Sequence, residues 1–209
     1  MIFGNSCFQE CKSLREINIP SSVESIGNFV FKGCASLAQI LIPSSVKSLG
    51  DSCFQECTSL IEINIPSSVK SIGNSVFKGC SSLAQIFIPS SVTKLGDSCF
   101  QECTSLIEIN IPLFMASISS KCFSECSSLL NIFIPSSVLE IGEDAFNRCD
   151  SLRMILLPRH ISVSPLKINK NTKIFGSNGD FISTIEYYFE VYQDKNINMD
   201  LRKGSIQYI

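Results

Sequence analysis

The sequence predicts a repeat solenoid, a fold in which coils of equal length stack along one axis. Three observations lead to this prediction: a proline recurs every 23 residues, a constant frame of apolar residues surrounds it, and a period of 46 residues overlies the first. A constant period of this kind indicates stacked repeats, and it directs the search for function to a surface rather than a pocket. The prolines that carry the period are Pro20, Pro43, Pro66, Pro89, Pro112, Pro135 and Pro158.

Each coil is predicted to contain a short parallel β-strand just before its proline. In residues 60–65, the pattern L-x-x-I-x-I directs three apolar side chains inward and leaves Glu62 and Asn64 outward. Pro66 ends the strand because it has no N–H group to donate to the next position of the ladder.

The second half of a coil is predicted to return the chain to the start of the next strand. A Ser-Ser pair forms a turn, and Gly73 allows a tight corner. Asn74 then caps a short helical turn that carries Phe77 and Cys80 inward. One coil has too little apolar surface to fold alone, so we expect like residues to stack from coil to coil.

Two ladders of identical residues follow from this stacking. The first consists of Leu14, Leu37, Leu60, Leu83, Leu106, Leu129 and Leu152, and the second of Phe8, Phe31, Phe54, Phe77, Phe100, Phe123 and Phe146. The 46-residue period is visible around the phenylalanines, where the sequence CFQEC at 53–57 and 99–103 alternates with VFKGC at 30–34 and 76–80. The array therefore alternates between two types of coil.

The frame resembles the BspA-like class of leucine-rich repeats, whose consensus is close to L-x-x-I-x-I-P-x-x-V-x-x-I-G-x-x-A-F-x-x-C. The similarity extends from about residue 6 to residue 161, and residues 141–146 (IGEDAF) fit it almost letter for letter. The resemblance implies a leucine-rich repeat solenoid with a parallel sheet, of the type found in surface antigens that act in adhesion and protein recognition. It implies no catalytic residues.

Two regions are expected along the chain. Residues 1–158 form the solenoid of about seven coils, the first of them incomplete, which suggests a longer parent chain or a partner at that end. Residues 159–209 lose the frame and are expected to form a small β-rich cap over the last coil. Its predicted strands follow from the alternation of apolar residues over 185–191 and at Ile197, Met199 and Leu201.

Composition excludes several classes of function. The net charge is −2 and charged residues make up 17% of the chain, so no basic surface is available for nucleic acid. No apolar stretch approaches the roughly 20 residues that a membrane helix needs. The resemblance implies the cell surface, but the first residues lack the basic and apolar regions of a secretory signal, so a cytoplasmic location is the alternative.

Eleven cysteines occupy two positions of the repeat. A disulfide column, a metal site and a row of buried small side chains are the three alternatives. An odd number cannot be fully paired within one chain, and stacked side chains about 4.8 Å apart exceed the usual Cβ separation in a disulfide. We therefore favour buried free thiols that pack as small apolar groups, with no metal and no cofactor.

His160 is the single histidine, and it occupies a turn position that serine holds in other coils. No phosphate-binding loop, paired carboxylates or nucleophile motif accompanies it. We therefore expect a solvated turn residue and a protein that is not an enzyme.

The outward strand positions are the candidate binding site for a protein ligand. Polar and apolar residues alternate there, in the order Asn18, Leu41, Asn64, Phe87, Asn110, Phe133 and Leu156. An exposed apolar patch rimmed by Asn and Glu is typical of protein-binding sites. The candidate residues are Leu41, Glu62, Asn64, Phe87, Glu108, Asn110 and Phe133, together with Leu113 and Phe114, where the Ser-Ser turn is replaced.

The sequence thus favours a non-catalytic scaffold for protein recognition or adhesion that uses the exposed strand face. An intracellular protein-interaction scaffold is the alternative, supported by the absence of a signal and by the expected free thiols. The ligand is a protein, with neither nucleic acid nor insertion into a membrane.

Overall fold

The computed structural model describes residues 1–162 and 166–175, together with the backbone of residues 197–200 and 205–208. The chain divides into two compact units, Met1–Ser177 and Asn178–Ile209. The first unit is a solenoid of parallel β-strands, and its described residues contain no α-helix. The predicted fold class is confirmed.

One ladder of strands, which we call the face ladder, lies just before the periodic prolines. Paired residues in this ladder are one coil apart, as with Ile40 and Ile63 or Ile86 and Ile109. The strands are β3 (Gln39–Leu41), β5 (Glu62–Asn64), β7 (Gln85–Ile86), β9 (Glu108–Ile109), β11 (Asn131–Phe133) and β13 (Met154–Leu156). They pair two by two, β3 with β5, β7 with β9 and β11 with β13.

A second ladder, the corner ladder, begins with one strand near the N-terminus and continues with a strand after the turn at each proline from Pro20 to Pro135. Its strands have two residues each, and all are parallel. They are β1 (Ile2–Phe3), β2 (Ser25–Ile26), β4 (Ser48–Leu49), β6 (Ser71–Ile72) and β8 (Lys94–Leu95), with β10 (Ser117–Ile118) and β12 (Glu140–Ile141) forming a separate pair.

The predicted turn between the two ladders is a β-turn. The N–H of Val69 donates to the Pro66 carbonyl at 3.0 Å, and the same bond recurs at the other periodic prolines. The hydroxyl of Ser68 donates to the Val46 carbonyl of the preceding coil. The second serine of the pair therefore connects adjacent coils as well as forming the turn.

The core contains the two predicted ladders of side chains, together with the inward isoleucines, valines and cysteines of each coil. Phe31 to Phe146 stack in sequence, with ring centroids 5.3–5.8 Å apart and ring planes within 3–15° of parallel. The leucines from Leu37 to Leu152 are buried beside them. Because each ring contacts the ring before and after it, every coil depends on both neighbours for burial.

Polar side chains also connect the coils, at the corner after each glycine. The Oδ1 atom of Asp51 accepts a hydrogen bond from the Asn74 N–H at 2.7 Å, and Asn74 Oδ1 accepts one from Asp97 N–H at 2.9 Å. Asn5 and Asn28 continue the series towards the N-terminus. Asn74, predicted to begin a helical turn, therefore bonds across coils.

The segment predicted as a short helical turn consists of single turns. Lys78 N–H bonds to the Ser75 carbonyl, and Cys80 N–H bonds to the Phe77 carbonyl. Ser75 has a φ of 53° and Gly79 a φ of 72°, and this left-handed backbone prevents the turns from joining into a longer helix. Phe77 and Cys80 are nevertheless buried, as expected.

The corner glycines that stack on a preceding coil, from Gly27 to Gly96, are required by the close approach of neighbouring coils. A Cβ atom on Gly96 would lie 2.5 Å from the Asn74 nitrogen and 2.5 Å from the Gly73 carbonyl. Ser119 replaces glycine at this position in the following coil. There the Ser119 hydroxyl donates to the Leu95 carbonyl, and β8 and β10 fall into separate sheets. The corner ladder is thus interrupted between β8 and β10, at the coil where serine replaces the corner glycine.

We expect Gly96→Ala to destabilise the solenoid by about 1–3 kcal/mol, because its methyl group would overlap backbone atoms that cannot move aside. Gly4→Ala is the matched control, since nothing lies within 4 Å of a Cβ atom there. The measurement is the urea midpoint of unfolding. Equal effects at both positions would contradict the close-approach explanation.

Beyond Pro158, strand pairing continues for one further strand, β14 (Lys173–Phe175), which pairs in parallel with β13. Their register differs by 19 residues instead of 23, as in Met154 with Lys173. The boundary at residue 158 and the capping role of residues 159–209 stay predictions.

In the second unit, Ile197 and Met199 belong to β15 (Ile197–Asp200), which pairs antiparallel with β16 (Ser205–Tyr208). The predicted strand over 185–191 and Leu201 lie outside the described residues.

Candidate protein-binding face

The face ladder alternates inward and outward side chains as predicted. In β3 and β5 the central isoleucine is buried and both flanking residues are exposed. Seven of the nine predicted site residues lie on these strands or directly after them. They are Leu41, Glu62, Asn64, Phe87, Glu108, Asn110 and Phe133. We call the outward surface of the face ladder from β3 to β11 the strand face.

Large apolar side chains are exposed on the strand face. Leu41 is 69% exposed and Phe87 is 59% exposed, whereas Phe133 is half-buried. One expectation is wrong: Leu156 is buried, as is the other outward residue of β13, Met154. The open part of the face therefore ends at β11.

Two further exposed residues on this face were missed by the sequence analysis. Ile61 and Ile107 are 54% and 42% exposed, and each lies one residue before the outward glutamate of its strand. Alanine occupies this position in the intervening coils, at Ala38 and Ala84. This alternation of Ile and Ala, which has the 46-residue period of the outward residues, could have indicated that Ile61 and Ile107 are exposed. The apolar surface is therefore wider than the single row that was predicted.

Leu113 and Phe114 lie apart from the other predicted residues. They follow Pro112 in the β-turn between the two ladders, which the Met115 N–H closes by donating to the Pro112 carbonyl. Phe114 is 72% exposed, Leu113 is half-buried and Met115 is fully buried. These two residues belong to the turn edge rather than to the strand face.

Asn110 and Asn64 occupy identical E-I-N-I-P segments but differ in their contacts. The Asn110 side chain accepts the Ile88 N–H at 2.8 Å and donates to the Ile88 carbonyl at 2.7 Å. Asn64 is exposed, and its backbone pairs with Phe87 in a single bridge. Asn110 therefore holds two coils together, whereas the Asn64 side chain remains accessible from solvent.

We expect Asn110→Ala to cost about 1–3 kcal/mol, because it leaves two backbone groups of Ile88 without their partner. Asn64→Ala in the identical segment should change stability by less than about 0.5 kcal/mol. Thermal unfolding of the two variants side by side tests the difference. Equal losses would contradict the role given to the Asn110 amide.

The cysteines that recur every 23 residues from Cys34 to Cys149 are buried hydrogen-bond donors. All eleven cysteines are free, and only Cys7 and Cys11 are exposed. The Sγ atom of Cys80 donates to the Phe54 carbonyl of the preceding coil at 3.1 Å. Equivalent bonds of 3.0–3.2 Å are made by Cys34, Cys57, Cys103, Cys126 and Cys149.

Burial keeps these thiols protonated. Loss of solvent raises the pKa of Cys80 to about 12 and that of Cys34 to about 11. A thiol in this state is a poor nucleophile and a poor metal ligand. The observed packing supports the interpretation of small apolar groups over a disulfide column.

His160 makes the same type of contact with the preceding coil as the serine that occupies this position in other coils. Its Nε2 atom is 2.7 Å from the Val138 carbonyl of the preceding coil. The equivalent contact in another coil joins the Ser137 hydroxyl to the Met115 carbonyl. The imidazole is thus engaged in a contact between coils.

Two structural findings bear on other classes of function. Within residues 1–162 and 166–175, no three His, Cys, Asp or Glu side chains are grouped so that they could hold a metal ion. In the part of the chain that the structure describes, no helix is long and apolar enough to cross a bilayer.

The sequence matches a defined repeat pattern over most of its length. The BspA type Leucine rich repeat region matches in six copies, over residues 1–129 and 52–175. No curated protein matches the chain.

Solved structures with the same fold include a T. pallidum leucine-rich repeat protein. It is 32% identical, with a TM-score of 0.70, and the match covers 72% of this chain and 71% of that one. A leucine-rich repeat protein from Bacteroides ovatus is 26% identical with a TM-score of 0.56. That match covers 84% of this chain and 57% of the Bacteroides protein.

A leucine rich cell surface protein from Faecalibacterium prausnitzii is 24% identical, with a TM-score of 0.53, and the match covers 85% of this chain and 58% of that one. At this level of identity the likeness concerns the fold alone. The repeat pattern, the strand register and the stacked core agree with one another, and the chain belongs to the BspA-type leucine-rich repeat family.

Proposed function

We propose that this chain is a non-catalytic scaffold that binds a protein through its strand face. The observation that carries the proposal is the exposure of Leu41 and Phe87 on the face ladder, with Ile61 and Ile107 beside them. Exposed apolar side chains on a rigid surface, rimmed by polar groups, are typical of protein-binding sites. Leucine-rich repeat proteins commonly serve as scaffolds for protein interaction or adhesion, which supports the same role here.

The rigidity of the strand face favours binding. Each outward residue projects from a backbone held on both sides by stacked coils and a buried isoleucine, such as Ile63 or Ile86. A preorganised surface loses little conformational freedom when a partner docks, so more of the contact energy appears as affinity. Glu62 and Asn64 at the edge of the apolar residues would orient the partner.

Chemical features of the chain support the absence of catalysis. The buried cysteines are protonated, and the imidazole of His160 contacts a backbone carbonyl. Neither is arranged with a base or an acid as a nucleophile requires. The proposed role is therefore recognition.

We further propose a location at the cell surface. One protein of the same fold is described as a cell surface protein and another as a pneumococcal vaccine antigen, although the fold alone connects them to this chain. The buried free thiols favour the alternative of an intracellular scaffold, since oxidising compartments promote disulfides. Labelling intact cells with a reagent that cannot cross membranes distinguishes the two locations.

The binding proposal is tested by Leu41→Ser combined with Phe87→Ser. We expect partner retention in a pull-down to fall at least tenfold, because the variant removes two large exposed apolar groups from the strand face. The melting temperature should change little, since both side chains are exposed. Phe114→Ser is the control, as it removes a ring that is at least as exposed as Phe87 from the turn edge. Unchanged retention in the double variant would contradict binding at the strand face.

A further inference from the structure

The strand face has a period of two coils rather than one. Glutamates occupy the same outward position in alternate coils at Glu16, Glu62 and Glu108, with glutamine between them at Gln39 and Gln85. Adjacent strands in a sheet lie about 4.8 Å apart, so the carboxylates recur every 9.6 Å or so along the solenoid axis.

The apolar residues follow the same period with an offset of one strand. Leu41 and Phe87 project from the coils that carry glutamine, and Asn64 and Asn110 hold the same position in the coils that carry glutamate. The face therefore presents two parallel rows, one of carboxylates and one of large apolar groups. Each row repeats at about 9.6 Å.

The carboxylate row is negatively charged, and its glutamates take part in none of the described ion pairs. The described ion pairs of the chain involve other acidic residues, namely Glu10, Glu24, Glu102, Glu125 and Asp144. The outward positions of β3, β5, β7 and β9 include no lysine or arginine. A partner that lies along this row is favoured if it carries positive charge at the same interval.

Regular backbone conformations differ in how well they match this interval. A polyproline II helix has three residues per turn and repeats about every 9.3 Å along one side. Side chains on one side of a β-strand repeat about every 6.7 Å, and an α-helix returns to the same side after seven residues, or about 10.5 Å. Only the polyproline II repeat stays within about 0.3 Å per period of the rows.

We propose that the strand face binds a proline-rich segment in the polyproline II conformation, lying along the solenoid axis, with a basic residue at every third position. This inference rests on the proposed function and names the chemistry of the partner. One side of the segment sets arginine or lysine over Glu62 and Glu108, and the adjacent side sets apolar residues against Leu41 and Phe87. The third side faces solvent.

Binding of such a segment is favoured by its low entropy cost and by repeated charge pairs. A polyproline II segment is already extended in solution, so it loses little conformational entropy on binding. Each exposed charge pair contributes little alone, but pairs that recur in register add along the same segment. Arginine can also stack on the exposed ring of Phe87, which adds a cation–π contact.

The experiment measures the binding of fluorescent peptides to the whole chain by anisotropy. Four repeats of Arg-Leu-Pro have the matching period, four repeats of Arg-Leu-Pro-Pro keep the charge but repeat at about 12.4 Å, and four repeats of Glu-Leu-Pro reverse the charge. We expect the first peptide to bind at least tenfold more tightly than the other two. Equal affinity of the two arginine peptides would overturn the proposal.

A protein variant tests the carboxylate row directly. Glu62→Gln with Glu108→Gln should weaken the matching peptide about tenfold and reduce the salt dependence of binding. Glu56→Gln with Glu140→Gln is the matched control, because both carboxylates are exposed outside the face ladder, neither is in a described ion pair, and the same charge is lost. Equal weakening by both pairs would overturn the proposal, because it would indicate attraction to overall charge.

The peptide result is separable from the proposed function. If no peptide binds but Leu41→Ser with Phe87→Ser still abolishes retention of the natural partner, the proline-rich segment is wrong and the strand face remains the binding site. If retention is unaffected as well, both proposals fail.

Discussion

Raising the pH from 9 to 10 is expected to unfold the solenoid. The nine buried thiols all have a pKa raised above its ordinary value, chiefly because burial disfavours the thiolate. In the unfolded chain the same groups ionise near pH 8.5. Above that pH the unfolded state binds fewer protons than the native state, so the free energy of unfolding falls as pH rises.

The expected effect is large because the thiols act together. Each contributes about 1.4 kcal/mol per pH unit once the pH exceeds its unfolded pKa. Nine of them remove on the order of 10 kcal/mol over one pH unit, which is comparable to the whole stability of a typical domain. Below about pH 8 the thiols are neutral in both states, and this source of pH dependence is absent.

Circular dichroism during an alkaline titration, with reductant present, measures the midpoint and steepness of this transition. The chain supplies its own control, because Val30 and Val76 occupy the repeat position that holds Cys53, Cys99 and Cys122 in other coils. Replacing these three cysteines by valine should raise the midpoint by about 0.3–0.5 pH unit and reduce the steepness by about a third. An unchanged curve would mean that other groups cause the transition.

Phe77→Ala is expected to destabilise the protein by about 3–5 kcal/mol. The Phe77 ring is fully buried and stacks on Phe54 at 5.8 Å and on Phe100 at 5.3 Å. Its removal leaves a cavity in the middle of the stack and deprives both neighbouring coils of a contact. Because an array is stabilised by contacts between adjacent coils, we also expect a broader transition.

Phe87→Ala is the matched control for this measurement. The two phenylalanines are ten residues apart, but the Phe87 ring is 59% exposed on the strand face. Urea unfolding should therefore show a loss below about 1 kcal/mol for Phe87→Ala. Similar losses for the two variants would mean that Phe87 is a core residue, and the strand-face proposal would lose its main support.

Inward residues could be predicted from the sequence because the repeat constrains them strongly. In a stacked array, residues 23 positions apart have the same surroundings. If Leu60 and Phe77 point inward, the other residues of their ladders are therefore expected to point inward as well. The outward residues carry no such constraint. Leu156 fits the outward pattern as well as Leu41 does, yet Leu156 is buried and Leu41 is 69% exposed.

Local sequence was also insufficient where one coil contacts another. Asn64 and Asn110 share the same five-residue segment, but in the folded protein the Asn110 side chain bonds to the backbone of Ile88. The corner glycines also owe their role to a contact between coils. The sequence suggested conformational freedom at Gly73, whereas the structure shows that a Cβ atom would lie 2.5 Å from the Asp51 side chain of the preceding coil.

The sequence by itself determined the coil length, the parallel strand before each proline and the inward ladders, since a constant period leaves a single way to bury the apolar residues. The tertiary structure alone decided that the outward residues of β13 are buried and that Asn110, but not Asn64, bonds across coils. These features depend on distances between residues about one coil apart in the chain. Such distances arise only when the coils are stacked, so no local pattern in the chain records them.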